Sequence, residues 1–104
     1  QKYSGDITCD KSSKVKLVLT EGSSYSGAFD AKGAAEYSKV YLSRNSVWNV
    51  TGDSHIDSLR NGDKKCRNIK SNGHTVYYDK NREANDWLGG KTLSLPGGGT
   101  LQPE

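Results

Sequence analysis

Apolar residues in this chain fall on every second position over short stretches. Val15, Leu17 and Leu19 alternate with Lys14, Lys16, Val18 and Thr20; Val40 and Leu42 alternate with Lys39, Tyr41 and Ser43; Val76 and Tyr78 share one face of His74–Asp79. A period of two is the pattern of a strand with one side turned to a core. Between these runs stand Glu21-Gly22-Ser23-Ser24, Arg44-Asn45-Ser46, Thr51-Gly52-Asp53, Asn61-Gly62-Asp63 and Ser71-Asn72-Gly73, residue types that turn a chain. Further short strands are expected over 4–10, with Ile7 and Cys9 on one face, over 25–29, 47–50 and 92–95, and up to Leu101. Only 34–38 suits a helical turn, and it is too short to persist alone. Lys80–Asp86, the most polar segment, reads as an exposed loop, after which Trp87–Gly90 docks the chain again.

The segments also repeat. Lys16–Leu19 (KLVL) answers to Lys39–Leu42 (KVYL), Ser23 to Ser46 and Tyr25 to Trp48, always 23 residues apart. Self-similarity at that period, written in short strands and turns, predicts an all-β fold: a right-handed parallel β-helix of about four short coils, one solenoid domain over residues 1–104. One coil cannot close its own core, so stacked coils bury one another's inward columns. The ends then need caps, a neighbouring segment or self-association. The alternative, an immunoglobulin-like β-sandwich, suits the strand count but not the self-similarity or the shortness of the strands.

Composition adjusts this picture in three places. Leu, Ile, Val and Phe number only eighteen of 104 residues, but the formal net charge is just +3 and the apolar residues are patterned, so an ordered chain is expected. Gly, Ser, Asn, Asp, Thr and Tyr are abundant and Met is absent, which favours strands and turns over helices. The fifteen basic residues are scattered among twelve acidic ones; the densest basic cluster, Lys64-Lys65-Cys66-Arg67, lacks interleaved aromatics and reads as a solvated turn, so no nucleic-acid partner is expected. No apolar run is long enough for a membrane span. Cys9 and Cys66 match no metal spacing and are either one disulfide or two small core residues. A start at Gln1 without a signal peptide suggests a fragment of a larger exported protein.

Three stretches carry a family resemblance. Ser46–Ser54 (SVWNVTGDS) followed by Ile56–Leu59 (IDSL), Ile69–Tyr78 (IKSNGHTVYY) and Leu17–Phe29 resemble the coil phrases of β-helical surface proteins. Such phrases occur in autotransporter passenger domains and in adhesin-like β-helix proteins of gut and cellulose-degrading Gram-positive bacteria. The resemblance spans most of residues 5–101 and implies an extracellular or cell-surface protein; some proteins of this kind bind plant polysaccharides, which implies carbohydrate binding here. The charged insert Asp63–Asn68 and the loop Lys80–Asp86 depart from the repeat.

Two groupings are candidates for chemistry. Asp53, His55 and Asp57 lie two apart, so in a strand they would form a row about 13 Å long. Hard oxygen ligands suit Ca²⁺, which can bridge an acidic polysaccharide; a plain solvent-facing strand would look the same. Tyr41 and Tyr77 alternate with inward residues and should face outward in different coils, as an aromatic ladder for sugar rings or as cross-strand stacks. Trp48 and Trp87 are expected in the core or a cap. No catalytic fingerprint is present, and the reading is non-enzymatic, although Asp53, Asp57 and Arg60 would be the residues of a polysaccharide lyase or hydrolase remnant. The remaining alternative is a structural stalk or capping module without a ligand.

Overall fold

The protein is described by a computed structural model covering residues 2–30, 32–33 and 35–104. Its strands are β1 (Lys2–Ser4), β2 (Lys14–Leu19), β3 (Ser24–Gly27), β4 (Tyr37–Leu42), β5 (Val47–Val50), β6 (Ser54–Ile56), β7 (Ser58–Asn61), β8 (Ile69–Lys70), β9 (Thr75–Tyr78), β10 (Leu93–Ser94) and β11 (Thr100–Pro103). The chain winds as a parallel β-solenoid of about four turns. Its strands alternate between two sheets from β1 to β5, with the Ile7–Phe29 bridge at the third position, and then visit three sheets in rotation to β9; the parallel strands pair with the one laid down a turn earlier. The sheets are ordered β1-β3-β5-β8, β2-β4-β7 and β10-β11-β9-β6, and all pairs are parallel except β10 with β11. Parallel neighbours joined through a full circuit exclude a sandwich of hairpins.

The register follows the repeat. Lys16 lies beside Lys39, Leu17 beside Val40, Leu19 beside Leu42, and Tyr25 beside Trp48. Like residues stack because a one-residue slip would turn every inward side chain outward. The inward columns Leu17-Val40-Leu59 and Tyr25-Trp48-Ile69, with Phe29, Val50, Val76, Tyr78 and Leu101, form one core. Trp48 is fully buried and donates its indole N–H to the Gly27 carbonyl at 3.1 Å.

Some local expectations change. Residues 4–10 do not make a strand: β1 ends at Ser4, and Ile7 only bridges to Phe29. The helical turn expected over 34–38 begins outside the described residues at Ala34, and its later part, Tyr37–Ser38, belongs to β4. Close approach also shapes the turn Gly97–Gly99. A Cβ on Gly99 would overlap the His74 carbonyl oxygen, and one on Gly97 would lie 2.7 Å from the Asn72 nitrogen, so this turn must be glycine to lie flat on the turn below it.

The helix is elsewhere. Lys80–Asp86, expected to be a free loop, contains most of a 3-10 helix (Glu83–Leu88) that covers the last edge of the β2-β4-β7 sheet. Asn85 is 1 % exposed there. Its amide oxygen accepts the Leu59 N–H at 2.8 Å, and its NH2 donates to the carbonyls of Asp57 and Asp79, both at 2.7 Å. Trp87 donates its indole N–H to the Leu59 carbonyl at 3.0 Å. Two side chains thus stand in for the backbone of an absent strand, which is how an exposed edge is blunted.

Both cysteines are free thiols, and Cys66 is buried at a φ of 56°. Burial pushes the Cys66 thiol up from 9.0 to about 11; Asp63 raises it further, while Asn61 and Lys64 oppose the rise. Burial likewise pushes the Tyr25 hydroxyl up to about 12, with Asp6 adding to the rise. Each group holds its proton longer when folded, so its stabilising contribution is whole below the unfolded pKa and is lost as pH climbs through the folded one. The urea midpoint is therefore expected to fall between about pH 9 and about pH 11, and Cys66→Ala should flatten the first part of that fall. A midpoint that stays constant over that range would contradict the burial of these groups.

Candidate ligand-binding surface

The outward side of the β2-β4-β7 sheet brings apolar, aromatic and basic side chains together. Val18, Tyr41 and Arg60 are neighbours across three strands, as are Lys16, Lys39 and Ser58. Tyr41 is 47 % exposed and Val18 45 %. Four residues back along β4, Tyr37 faces the same way, its hydroxyl 2.9 Å from the Ser58 hydroxyl and its ring under the Arg82 guanidinium at 4.8 Å. The strand rise separates the two rings by about 13 Å. Tyr37 was not singled out from the sequence, although an aromatic pair at i and i+4 of one strand was visible there. Beyond Tyr41, a depression of about 290 Å³ is bordered by Arg60, Gly62, Lys64 and Ser43. The Ser43 hydroxyl is buried there without a hydrogen-bond partner among the described residues.

A wider cleft of about 680 Å³ adjoins that depression and shares Gly62 and Lys64 with it as lining residues. One wall is the turn Arg44–Ser46 and the other the insert Asp63–Asn68. Three features hold the walls in place. The two Asp63 carboxylate oxygens accept the N–H groups of Lys65 (3.0 Å) and Arg67 (3.2 Å). Asn61 and Asn68 exchange side-chain hydrogen bonds at 2.8 and 3.0 Å, and Asn68 also reaches the Ser43 carbonyl. Gly62 lies so close to the Arg44 turn that a Cβ would be 2.7 Å from the Arg44 nitrogen. The insert read as a solvated turn is thus a braced wall with its cations outward.

The row Asp53, His55, Asp57 does not assemble as a ligand set, and among the described residues no three His, Cys, Asp or Glu side chains are placed to hold a metal ion. Asp53 precedes β6 and accepts the Thr75 N–H at 2.9 Å, with His74 3.8 Å away. Asp57 sits in the corner after β6, where it accepts the Ser38 N–H at 2.7 Å. Both carboxylates fasten one coil to its neighbour, and only His55 lies on the strand face between them. Nor do Asp53, Asp57 and Arg60 converge: Arg60 opens onto the Tyr41 depression, while Asp57 lines a separate pocket of about 260 Å³.

Tyr41 and Tyr77 do not form one ladder. Tyr77 is in β9, on the β6-β9-β11 face, and stacks on His55 with ring centroids 4.9 Å apart and planes at 19°. It serves as the cross-strand stack, whereas Tyr41 is left open. His55 also meets the Asp30 carbonyl at 3.2 Å and Glu104 at 3.6 Å. Among the described residues, no helix is long and apolar enough to cross a membrane. Comparison of the chain with protein-family models, with curated protein sequences and with solved structures gives no significant match in any of the three.

Proposed function

We propose that this chain is a non-enzymatic, adhesin-like β-helix domain of the cell surface or extracellular space, and that it binds polysaccharide on the outward side of the β2-β4-β7 sheet. The observation that carries the reading is Tyr41: a ring about half exposed on a parallel sheet, with apolar Val18 on one side and Arg60 on the other. An open aromatic face gives a sugar ring dispersion contact, and the flanking guanidinium and lysines supply donors to its hydroxyls. Tyr77 is spoken for by His55 and has no part in this surface.

Affinity electrophoresis through gels carrying neutral or acidic polysaccharides tests this. Retardation by at least one polysaccharide is expected, with affinity reduced about tenfold in Tyr41→Ala and unchanged in Tyr77→Ala once both are shown to be folded. A chelator should make no difference, because Asp53 and Asp57 are engaged by backbone N–H groups. Retardation that survives Tyr41→Ala would move the site elsewhere. No retardation by any polysaccharide would favour a structural module without a ligand.

A further inference from the structure

The excess positive charge of this protein is gathered in one place. The chain has fifteen basic and twelve acidic residues, and the cleft between the Arg44 turn and the 63–68 insert is lined by Arg44, Lys64, Lys65 and Arg67 with Asp63 as the one carboxylate. Eleven basic and eleven acidic residues remain for the rest of the molecule, so the net charge of +3 is that of the cleft. The single carboxylate is turned inward: the Asp63 side chain is 15 % exposed and already accepts two backbone N–H groups, which leaves the cations to face solvent. Arg67 also approaches Asp63 at 3.7 Å, and Lys64 lies 4.7 Å over the Trp87 ring, so these two side chains are held at the rim.

We propose that this cleft binds the anionic groups, carboxylate or sulfate, of an acidic polysaccharide. The inference rests on the glycan-binding reading and specifies its substrate class. The cleft shares Lys64 and Gly62 with the depression beside Arg60 and Tyr41, so a polysaccharide stacked on Tyr41 lies next to the basic walls. Guanidinium groups bind carboxylate and sulfate through paired N–H donors, and the braced walls keep the cost of ordering them low. The exposed Asn45 adds a neutral amide of the kind that sugar hydroxyls use, steadied by its hydrogen bond to Glu21 at 2.8 Å. Nucleic acid is the other common polyanion; the cleft lining itself carries no aromatic side chain, and Tyr41 beside it is a single open ring, whereas single-strand binding uses a row of rings for successive bases.

The test uses the whole chain, titrated in solution with four probes: a polyuronate, a sulfated polysaccharide, a neutral glucan and single-stranded DNA. The triple substitution Arg44→Gln, Lys65→Gln, Arg67→Gln removes charge at three exposed side chains and leaves Lys64 on Trp87; an unchanged thermal transition verifies its fold. At least one acidic polysaccharide is expected to bind at least tenfold more tightly than the neutral glucan and the DNA, to weaken about tenfold or more between about 50 and 200 mM salt, and to lose that advantage in the triple variant. Which acidic probe is preferred distinguishes carboxylate from sulfate. Equal binding of neutral and acidic polysaccharides that ignores the triple substitution would overturn this inference and leave the glycan reading standing. Binding of no polysaccharide would overturn both, and DNA bound as tightly as the acidic polysaccharides would make the cleft a nucleic-acid site.

Discussion

Replacing Asn85 by alanine is expected to lower the unfolding free energy by about 3–5 kcal/mol, a large share of what a chain of this size possesses. One side-chain amide satisfies three backbone groups: the N–H of Leu59 and the carbonyls of Asp57 and Asp79. Alanine would leave the buried Leu59 N–H and the two partly buried carbonyls without this partner, at about 1–3 kcal/mol for each one that stays unsatisfied. Asn85→Asp separates hydrogen bonding from bulk. The carboxylate can still accept the Leu59 N–H, but it faces two carbonyl oxygens with nothing to donate, so at neutral pH it should be no better than alanine. Urea unfolding of both variants checks this. A loss below about 1 kcal/mol for Asn85→Ala would mean that the 3-10 helix is not the structural edge of the β2-β4-β7 sheet.

Trp48→Ala is expected to cost about 3–5 kcal/mol. The indole lies between Tyr25 and Ile69 in an inward column and meets Phe29 edge-on at 6.5 Å with planes at 75°. Neighbours pinned by parallel ladders on both sides can relax little into the space it leaves. Trp48→Phe retains most of the volume and removes the indole N–H, whose acceptor, the Gly27 carbonyl, is also reached by the Thr51 N–H at 3.4 Å. The cost should drop to about 1–2 kcal/mol. If the two substitutions cost the same, the hydrogen bond rather than the packing would be what Trp48 supplies.

The turns of the solenoid could be read from the sequence because parallel stacking puts like beside like. The KLVL and KVYL segments are neighbours strand to strand, and Tyr25 and Trp48 share a column. Alternation gave the inward and outward sides correctly for Val40, Tyr41, Val76 and Tyr77. It could not say which of three faces an outward residue belongs to, so Tyr41 and Tyr77 could not be separated before the path was known. Asn85 was hidden for another reason: a buried polar residue that replaces backbone looks, in sequence, like any polar loop residue. The basic cleft left a usable signal. Arg44 and the insert 64–67 are about one coil apart, and residues one coil apart become neighbours, but the insert interrupts the repeat and so hides that register.

The two ends of the solenoid are built differently. At one, β7 lies under the 3-10 helix and the β6-β9-β11 sheet is closed by β10 running backwards; at the other, β1 and β2 are edge strands, with Lys14 and Lys16 on the outward side of β2. A filament needs a plug and a socket on every subunit. Here two of the three edges at the first end are occupied, so an identical copy stacking head to tail would find only the two-residue β8 edge to pair with. A protein rich in parallel β-structure thus offers its own copies little backbone on which to template a polymer.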